Sequence, residues 1–293
     1  MDLKLNTREL VQMSVVGEIN HPTLRKTGYV INSRGKAEVY PSVGGISYNV
    51  RIGMPAVGWM ADHVEPGVSI LNSGKSFGEY SPNGALNVLA CIGNQAQVIS
   101  GEGKGSRGFV TGKHGGIDHV LIDFEPEILE QLTIGDKILI KAFGVGLQLS
   151  GYFPGVLVMN TDPELLRKIV LDTDKKVKVA VSREIPMHLL GSGIGSSSVY
   201  SGDCDIQVFD DEAIKKYNLN ELKLGDIISI SDCDASHGWI YRKNHFTIGV
   251  IAHSNSVTAG HGPGVTTLMT AAAEFLEPEV RKNMNLIHLF YEK

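Results

Sequence analysis

The chain has only three cysteines in 293 residues, Cys91, Cys204 and Cys233, far apart and without a Cys-x-x-Cys pair. Their odd number and wide spacing argue against a disulfide framework and a cysteine-built zinc site, and point to a reducing, cytoplasmic setting. Basic charge is also scarce. Against 32 aspartates and glutamates stand 27 lysines and arginines, a net charge of -5, whereas nucleic-acid binding draws on basic surface. No apolar run approaches the roughly 20 residues of a membrane span, and residues 1–20 lack the charged-then-apolar order of a secretory leader. Neither nucleic acid nor membrane is therefore expected as a partner.

Nucleotide and nucleophile signatures are missing as well. Gly101–Gly108 does not end in Gly-Lys-Ser/Thr, and Gly191-x-Gly-x-Gly195 lacks the third spacing of the dinucleotide fingerprint. No nucleotide cofactor is expected. There is no Gly-x-Ser-x-Gly elbow and no His-Glu-x-x-His helix.

What the chain does have is glycine, 34 residues of it, which implies many tight turns and close backbone approaches. Short apolar segments punctuated by glycine run over Thr27–Val39, Ile46–Ile52, Val64–Leu71 and Ala85–Ser100 and read as strands. Helical patterns are few: Thr7–Met13, Glu125–Gln131, Asp162–Leu171 and Asp211–Tyr217, with Thr266–Phe275 ambiguous between helix and strand. Strands outnumber helices without βαβ alternation, which argues against a doubly wound sheet. The expected fold is mainly β (α+β), two barrel-like or sandwich-like halves with a few short helices. A connection within Asp162–Lys178 would separate an N-terminal β-rich domain, 1–170, from a C-terminal one, 171–293.

A degenerate internal repeat supports two related units. His119–Gly144 and Asp205–Asp234 each read as strand, acid-started helix, Leu-x-x-Gly-Asp and alternating apolar strand. Gly135-Asp136 and Gly225-Asp226 supply the turns.

Four of the ten histidines, His237, His245, His253 and His261, recur every eight residues within Ser231–Thr266, a tract that opens with Asp232 and Asp234. Imidazoles and carboxylates bind metals and move protons near neutral pH. Eight extended residues span roughly 26 Å, so neighbours in the series meet only if the chain turns between them. Lys243-Asn244-His245 and Ser254-Asn255-Ser256 have turn chemistry. An antiparallel meander would bring His237 and His253 to one end. The candidate metal set is Asp232, Asp234, His237 and His253, holding a divalent ion such as zinc, manganese or magnesium.

Glycine loops could add bare amides for a small polar or anionic ligand. They are Gly115 and Gly116 beside Lys113, His114 and His119; Gly193 and Gly195 in Gly191–Ser198; and Gly262 and Gly264. His253, His261, His114 and Lys113 are the candidate catalytic groups. Either a metal activates water or a histidine serves as acid/base with the Gly262 and Gly264 amides holding an oxyanion.

Several stretches together resemble a known family. GALNVLACIGN at Gly84, VTGKHGGIDHV at Val110, LTIGDKILIKAFGVGLQL at Leu132, GSGIGSSSVYSGDCDIQ at Gly191 and TIGVIAHSNSVTAGHGPGVTTLMT at Thr247 are similar to the bacterial and archaeal proteins of domain of unknown function 4438. The likeness covers roughly Gly28–Tyr291 and implies a cytoplasmic, β-rich protein of two linked parts, without implying a reaction. Cys204 departs from it, where a larger aromatic is expected. A more distant likeness of fold style, Leu-x-x-Gly-Asp-x-Ile-x-Ile followed by Asp and His, is to the formamidase/acetamidase group of amide hydrolases. The functional expectation is a metal-dependent hydrolase of a small amide-like or other polar metabolite. The alternatives are a non-catalytic small-anion or metabolite sensor and a structural homo-oligomer, and a homo-oligomeric state is expected in either case.

Overall fold

A computed structural model describes residues 3–24, 28–41, 43–150, 153, 155–197 and 199–291. Thr27, where a strand was expected to start, and Ser198, at the end of the second glycine loop, lie outside them.

The fold is mainly β, as the sequence pattern implies. The first part runs β1 (Met13–Ile19), β2 (Val30–Ile31), β3 (Ala37–Glu38), β4 (Ile46–Ser47), β5 (Gly67–Leu71), α1 (Pro82–Leu89), β6 (Gln95–Val98), β7 (Arg107–His114), β8 (His119–Asp123), α2 (Pro126–Leu129) and β9 (Lys137–Ala142). The second runs β10 (Leu157–Val158), α3 (Pro163–Ile169), β11 (Val170–Asp172), β12 (Val177–Val181), β13 (Arg183–Pro186), β14 (Cys204–Asp205), α4 (Asp211–Tyr217), β15 (Ile227–Asp234), β16 (Ile240–His253), β17 (Gly264–Ala272), β18 (Leu276–Val280) and α5 (Leu286–Phe290).

Strands β1, β9, β6, β7, β8 and β5 pair in that order, and β5 returns to β1 through Glu18–Leu71 and Ile19–Ile70. Six strands thus close into a barrel, which removes their free edges. The second part is built on an open sheet, β10-β17-β16-β15-β13, with β14 added along β17, and a small sheet β11-β12-β18. One hydrophobic cluster joins barrel residues such as Val110 and Ile140 to Leu166, Val250 and Leu268. A second packs Val50 and Ala56 against Ile206 and Trp239.

The repeat is real at the level of its turns. Gly135 and Gly225 both take left-handed φ, +90° and +85°. In each copy the following aspartate accepts a hydrogen bond from the amide three residues earlier: Thr133 N to Asp136 at 2.9 Å and Lys223 N to Asp226 at 3.0 Å. The strands that follow enter different sheets, β9 the barrel and β15 the open one.

Two local expectations are corrected. Thr7–Met13 is not helical: Asn6 ties this segment to Gly146 and Gln148, and β1 starts at Met13. Ala85–Ser100 is not all strand, because Ser81 caps α1 by accepting from Gly84 N, with Pro82 in the first turn. The ambiguous Thr266–Phe275 resolves as strand through Ala272, buried between β16 and β10.

The correction that matters most is in the histidine tract. Lys243-Asn244-His245 does not reverse the chain. Asn244 and Asp232 take left-handed φ, +58° and +57°, and Asn244 N donates to Asp232 Oδ1 at 2.8 Å. The turn chemistry forms a bulge, and β16 continues unbroken for 14 residues.

A candidate metal centre

Because β16 does not fold back, His253 ends up far from Asp232, Asp234 and His237. Asp234 pairs with Ile240 at the start of β16 and His253 lies at its end, a contour on the order of 40 Å. Asp234 is engaged locally, with Arg242 at 2.6 Å and with the Ser236 amide at 2.8 Å. His237 is exposed to solvent. The structure does not bring these three to His253.

It brings other residues there. The connection Asp62-His63-Val64-Glu65 is stitched to the chain after β16: Ser254 N donates to Val64 O, Val64 N to Ser254 Oγ, and Ser256 Oγ to Asp62 at 2.6 Å. His63 is held there with φ +52°, a conformation that costs a β-carbon residue on the order of 1–2 kcal/mol.

The β7–β8 hairpin places His114 opposite His119. Directly opposed residues share a face, so both imidazoles reach one carboxylate, Glu65. His114 Nδ1 lies 2.6 Å and His119 Nδ1 3.1 Å from Glu65 Oε1. Lys113 precedes His114 and so points the other way. Its ammonium is fully buried and donates to Asn160 Oδ1 at 2.7 Å and Tyr200 O at 2.6 Å, and burial lowers its pKa to about 8. Lys113 braces the chain leading to Asp203 and does not face the pocket, which corrects its assignment as a catalytic group.

Alternation explains Asp203-Cys204-Asp205 in the same way. The two carboxylates share one side of the strand, while Cys204 is fully buried in the hydrophobic cluster behind it. Burial raises the Cys204 thiol far out of the physiological range. Across β17, Asp205 is opposite Gly264, and Gly264 is also opposite His253 on β16. A β-carbon at Gly264 would sit 2.1 Å from His253 Nε2 and 2.3 Å from Asp203 Oδ2. This glycine exists to make room for the His253–Asp203 contact, 2.7 Å long. Gly262 N donates to Asp205 Oδ2 and Gly115 N to Asp203 Oδ1. The Gly262 amide is thus committed to a carboxylate and not to an oxyanion, correcting that expectation. Gly116 and Gly193 line the pocket; Gly195 is directed to the Trp239 carbonyl instead.

The result is a cavity of about 550 Å³ lined by His63, His114, Asp203, Asp205 and His261, with His253 fully buried directly behind Asp203. These six form two three-residue sets, His114–Asp203–His253 and His63–Asp205–His261. Within each set the donor atoms lie within 4.8 Å of one another. Each set takes one imidazole from the barrel part, one aspartate of Asp203-x-Asp205 and one imidazole from the end of β16 or the loop after it. Three of the imidazoles have Nδ1 against an acceptor: His114 against Glu65, His63 against Asp62 at 3.3 Å, and His253 against Ser254 O at 2.8 Å. Acceptors at Nδ1 are the usual outer-sphere arrangement of metal-binding histidines, while the Nε2 atoms of His253 and His63 contact Asp203 at 2.7 Å and His261 at 3.2 Å. His119 is different, since Asn20 Nδ2 approaches its Nε2 at 2.6 Å. It supports Glu65.

The electrostatics are those of a site crowded with negative charge. Burial pushes Glu65 up, but its hydrogen bonds from His114 and His119 outweigh this and hold it well below the usual carboxylate range. Asp62, opposed by burial but bonded to His63 and Ser256, falls to about 2. Asp205 is also held low by His261 and His63 against the effect of burial. Burial lowers His253, yet Asp203 and Asp205 prevail and raise it to about 9.

The tract from His253 to Gly264 was legible as chemistry, and so was His114. Asp62, His63, Glu65, Asp203 and Asp205 were missed as site members. Asp62-His63-x-Glu65 and Gly202-Asp-x-Asp205 were the visible signals, because alternating charged residues inside apolar β segments imply a shared buried face.

Comparison with known proteins agrees with this architecture. A family model described as domain of unknown function (DUF4438), N-terminal, matches residues 29–167, and its C-terminal counterpart matches residues 166–290. The chain belongs to the DUF4438 family. The crystal structure of TM1086 is 46% identical, with a TM-score of 0.90 over 97% of this chain and 98% of that one. No curated protein matches this DUF4438 chain. Among its described residues no helix is long and apolar enough to cross a membrane.

Proposed function

We propose that this protein is a divalent-metal-dependent hydrolase acting on a small amide-like or similarly polar metabolite. One observation carries the reading. The imidazoles of His63 and His114, with Nδ1 already against acceptors, line a solvent-reaching cavity together with Asp203 and Asp205, and His253 is buried immediately behind them. Imidazole and carboxylate donors with outer-sphere support suit zinc or manganese.

In the reaction water adds across the scissile bond: its oxygen goes to the carbonyl carbon and its protons to the carboxyl and amine products. The ion would supply Lewis acidity and lower the pKa of the attacking water. His114, Asp203 and His253 would hold it, with Glu65 fixing the His114 ring. Lys113 and Asn160 steady the turn before Asp203, Asn160 donating to Val199 O and Thr267 O. Asp203 and Gly264 keep His253 in register with β17. His261, the most exposed imidazole of the two sets at 32% of its side chain, would be the one that substrate meets first.

The test is elemental analysis of purified native protein and of His253→Ala, followed by a screen of amide substrates on metal-loaded protein. At least one tightly held divalent ion per chain, lost in the variant, with turnover of an amide in the loaded protein alone, is the expected result. Absence of ion binding in the native chain, before and after incubation with zinc or manganese, would remove the mechanism. A held ion with no turnover across the screen would favour the second reading, a metabolite sensor that uses the same cavity.

A further inference from the structure

The Asp205 carboxylate divides its oxygens between the two sets. Oδ2 lies 3.2 Å from His261 Nδ1 and 3.8 Å from His63 Nε2. Oδ1 lies 3.7 Å from His253 Nε2, which belongs to the other set. We infer that the cavity holds two divalent cations, one in each set, with Asp205 as the carboxylate that bridges them. This rests on the metal reading above and extends it by a second ion.

Three features support the inference. The first is donor identity. Each set offers two imidazoles and one carboxylate, a complement that leaves positions for water and substrate on both ions. The second is proximity. The His114 and His253 ring centroids are 4.2 Å apart, His63 and His253 5.2 Å, and His63 and His114 5.5 Å. The sets are immediate neighbours, as required where a carboxylate spans ions roughly 3.5–4 Å apart.

The third is charge. Asp62, Asp203 and Asp205 line the cavity with Glu65 buried behind His114, and no lysine or arginine lines the cavity among the described residues. Uncompensated carboxylates at a mostly buried site are costly. Two dications offset four carboxylates, whereas one leaves half of that charge to the imidazoles. His261 and His63, whose ring nitrogens are 3.2 Å apart, then become ligands of the second ion, and Asp62 orients His63 as Glu65 orients His114.

Manganese reports both number and coupling. Protein stripped with a chelator is reloaded with Mn²⁺, counted by elemental analysis and examined by electron paramagnetic resonance. The expected wild type holds two ions per chain with an exchange-coupled spectrum. His261→Ala, at a partly exposed position, should hold one ion with an uncoupled six-line spectrum. Asp205→Asn, which preserves shape, should lose the coupling, and thermal melts verify that both variants fold. One ion in the wild type, unchanged by His261→Ala, would overturn the second ion and leave the metal reading standing. Two uncoupled ions insensitive to Asp205→Asn would overturn the bridge. No bound manganese, and none on substituting zinc, would overturn both.

Discussion

The two ends of β16 carry the same kinds of side chain and have opposite fates. At its start, Asp232 sits in the bulge with Asn244, Asp234 pairs with the partly exposed Arg242, and His237 faces solvent. At its end, His253 is fully buried against Asp203 and within reach of His63, His114 and Asp205. The difference is convergence. The first group is local in sequence and satisfies itself, while the second is assembled from separate segments of both parts of the chain. Density of titratable residues along a sequence does not make a site; their burial from several directions does.

Overpacking the buried end gives the sharpest break. Gly264→Ala forces a methyl into His253 and Asp203, and a side chain with no free volume around it cannot yield. A loss of about 1–3 kcal/mol is expected, read by denaturant unfolding, together with loss of bound metal. The same change at exposed Gly116, where nothing lies within 4 Å of the new atom, should leave both unchanged. A stable, metal-replete Gly264→Ala would show that the two ends do not differ as described.

A gentler probe is Glu65→Gln, which keeps shape but weakens the hold on His114 and His119. Outer-sphere changes of this kind cost about 10–100-fold in metal affinity, measurable by competition with a chromogenic chelator. Unchanged affinity would remove Glu65 from the site.

Acidity separates the ends next. In the metal-free protein His253 is raised from 6.5 to about 9, so its protonated form stabilises the fold. That contribution is fully present below 6.5 and is lost as pH climbs through about 9. Melting temperature of the metal-free protein should therefore fall across this window, and Asp203→Asn should flatten the fall. An ion must displace the same proton, so metal affinity should rise with pH. A metal-free protein equally stable at both pH values would contradict the His253–Asp203 pairing.

The smallest effects belong to the other end. His237→Ala should change stability by less than about 0.5 kcal/mol and Asp234→Ala by about 1 kcal/mol, through its lost hydrogen bonds and ion pair. Neither should alter metal content. Loss of an ion from either variant would restore the site expected from the histidine spacing.

These outcomes bear on how much the sequence reveals. Fold class was legible from glycine-punctuated apolar segments, and α3 and α4 from Asp162 and Asp210 with acidic first turns. Barrel closure was not, because nothing local to β1 or β5 announces their pairing. The site was half legible. His114, His253 and His261 carry their chemistry openly, whereas Asp62, His63 and Glu65 sit in an irregular connection whose role depends on backbone bonds to Ser254 and Asn255. Asn244 misled for a definite reason: a residue tolerant of left-handed φ serves a bulge as readily as a turn.

The mixed parentage of the two donor sets has a mechanical consequence. Each set joins a histidine from the barrel part to an aspartate and a histidine from the second part, so an ion bound there acts as a rivet through the seam between them. By mass action such a rivet adds about 2.7 kcal/mol to the folded state when free ion is present at about 100 times its dissociation constant. Metal supply would then govern how long the assembled molecule withstands a protease.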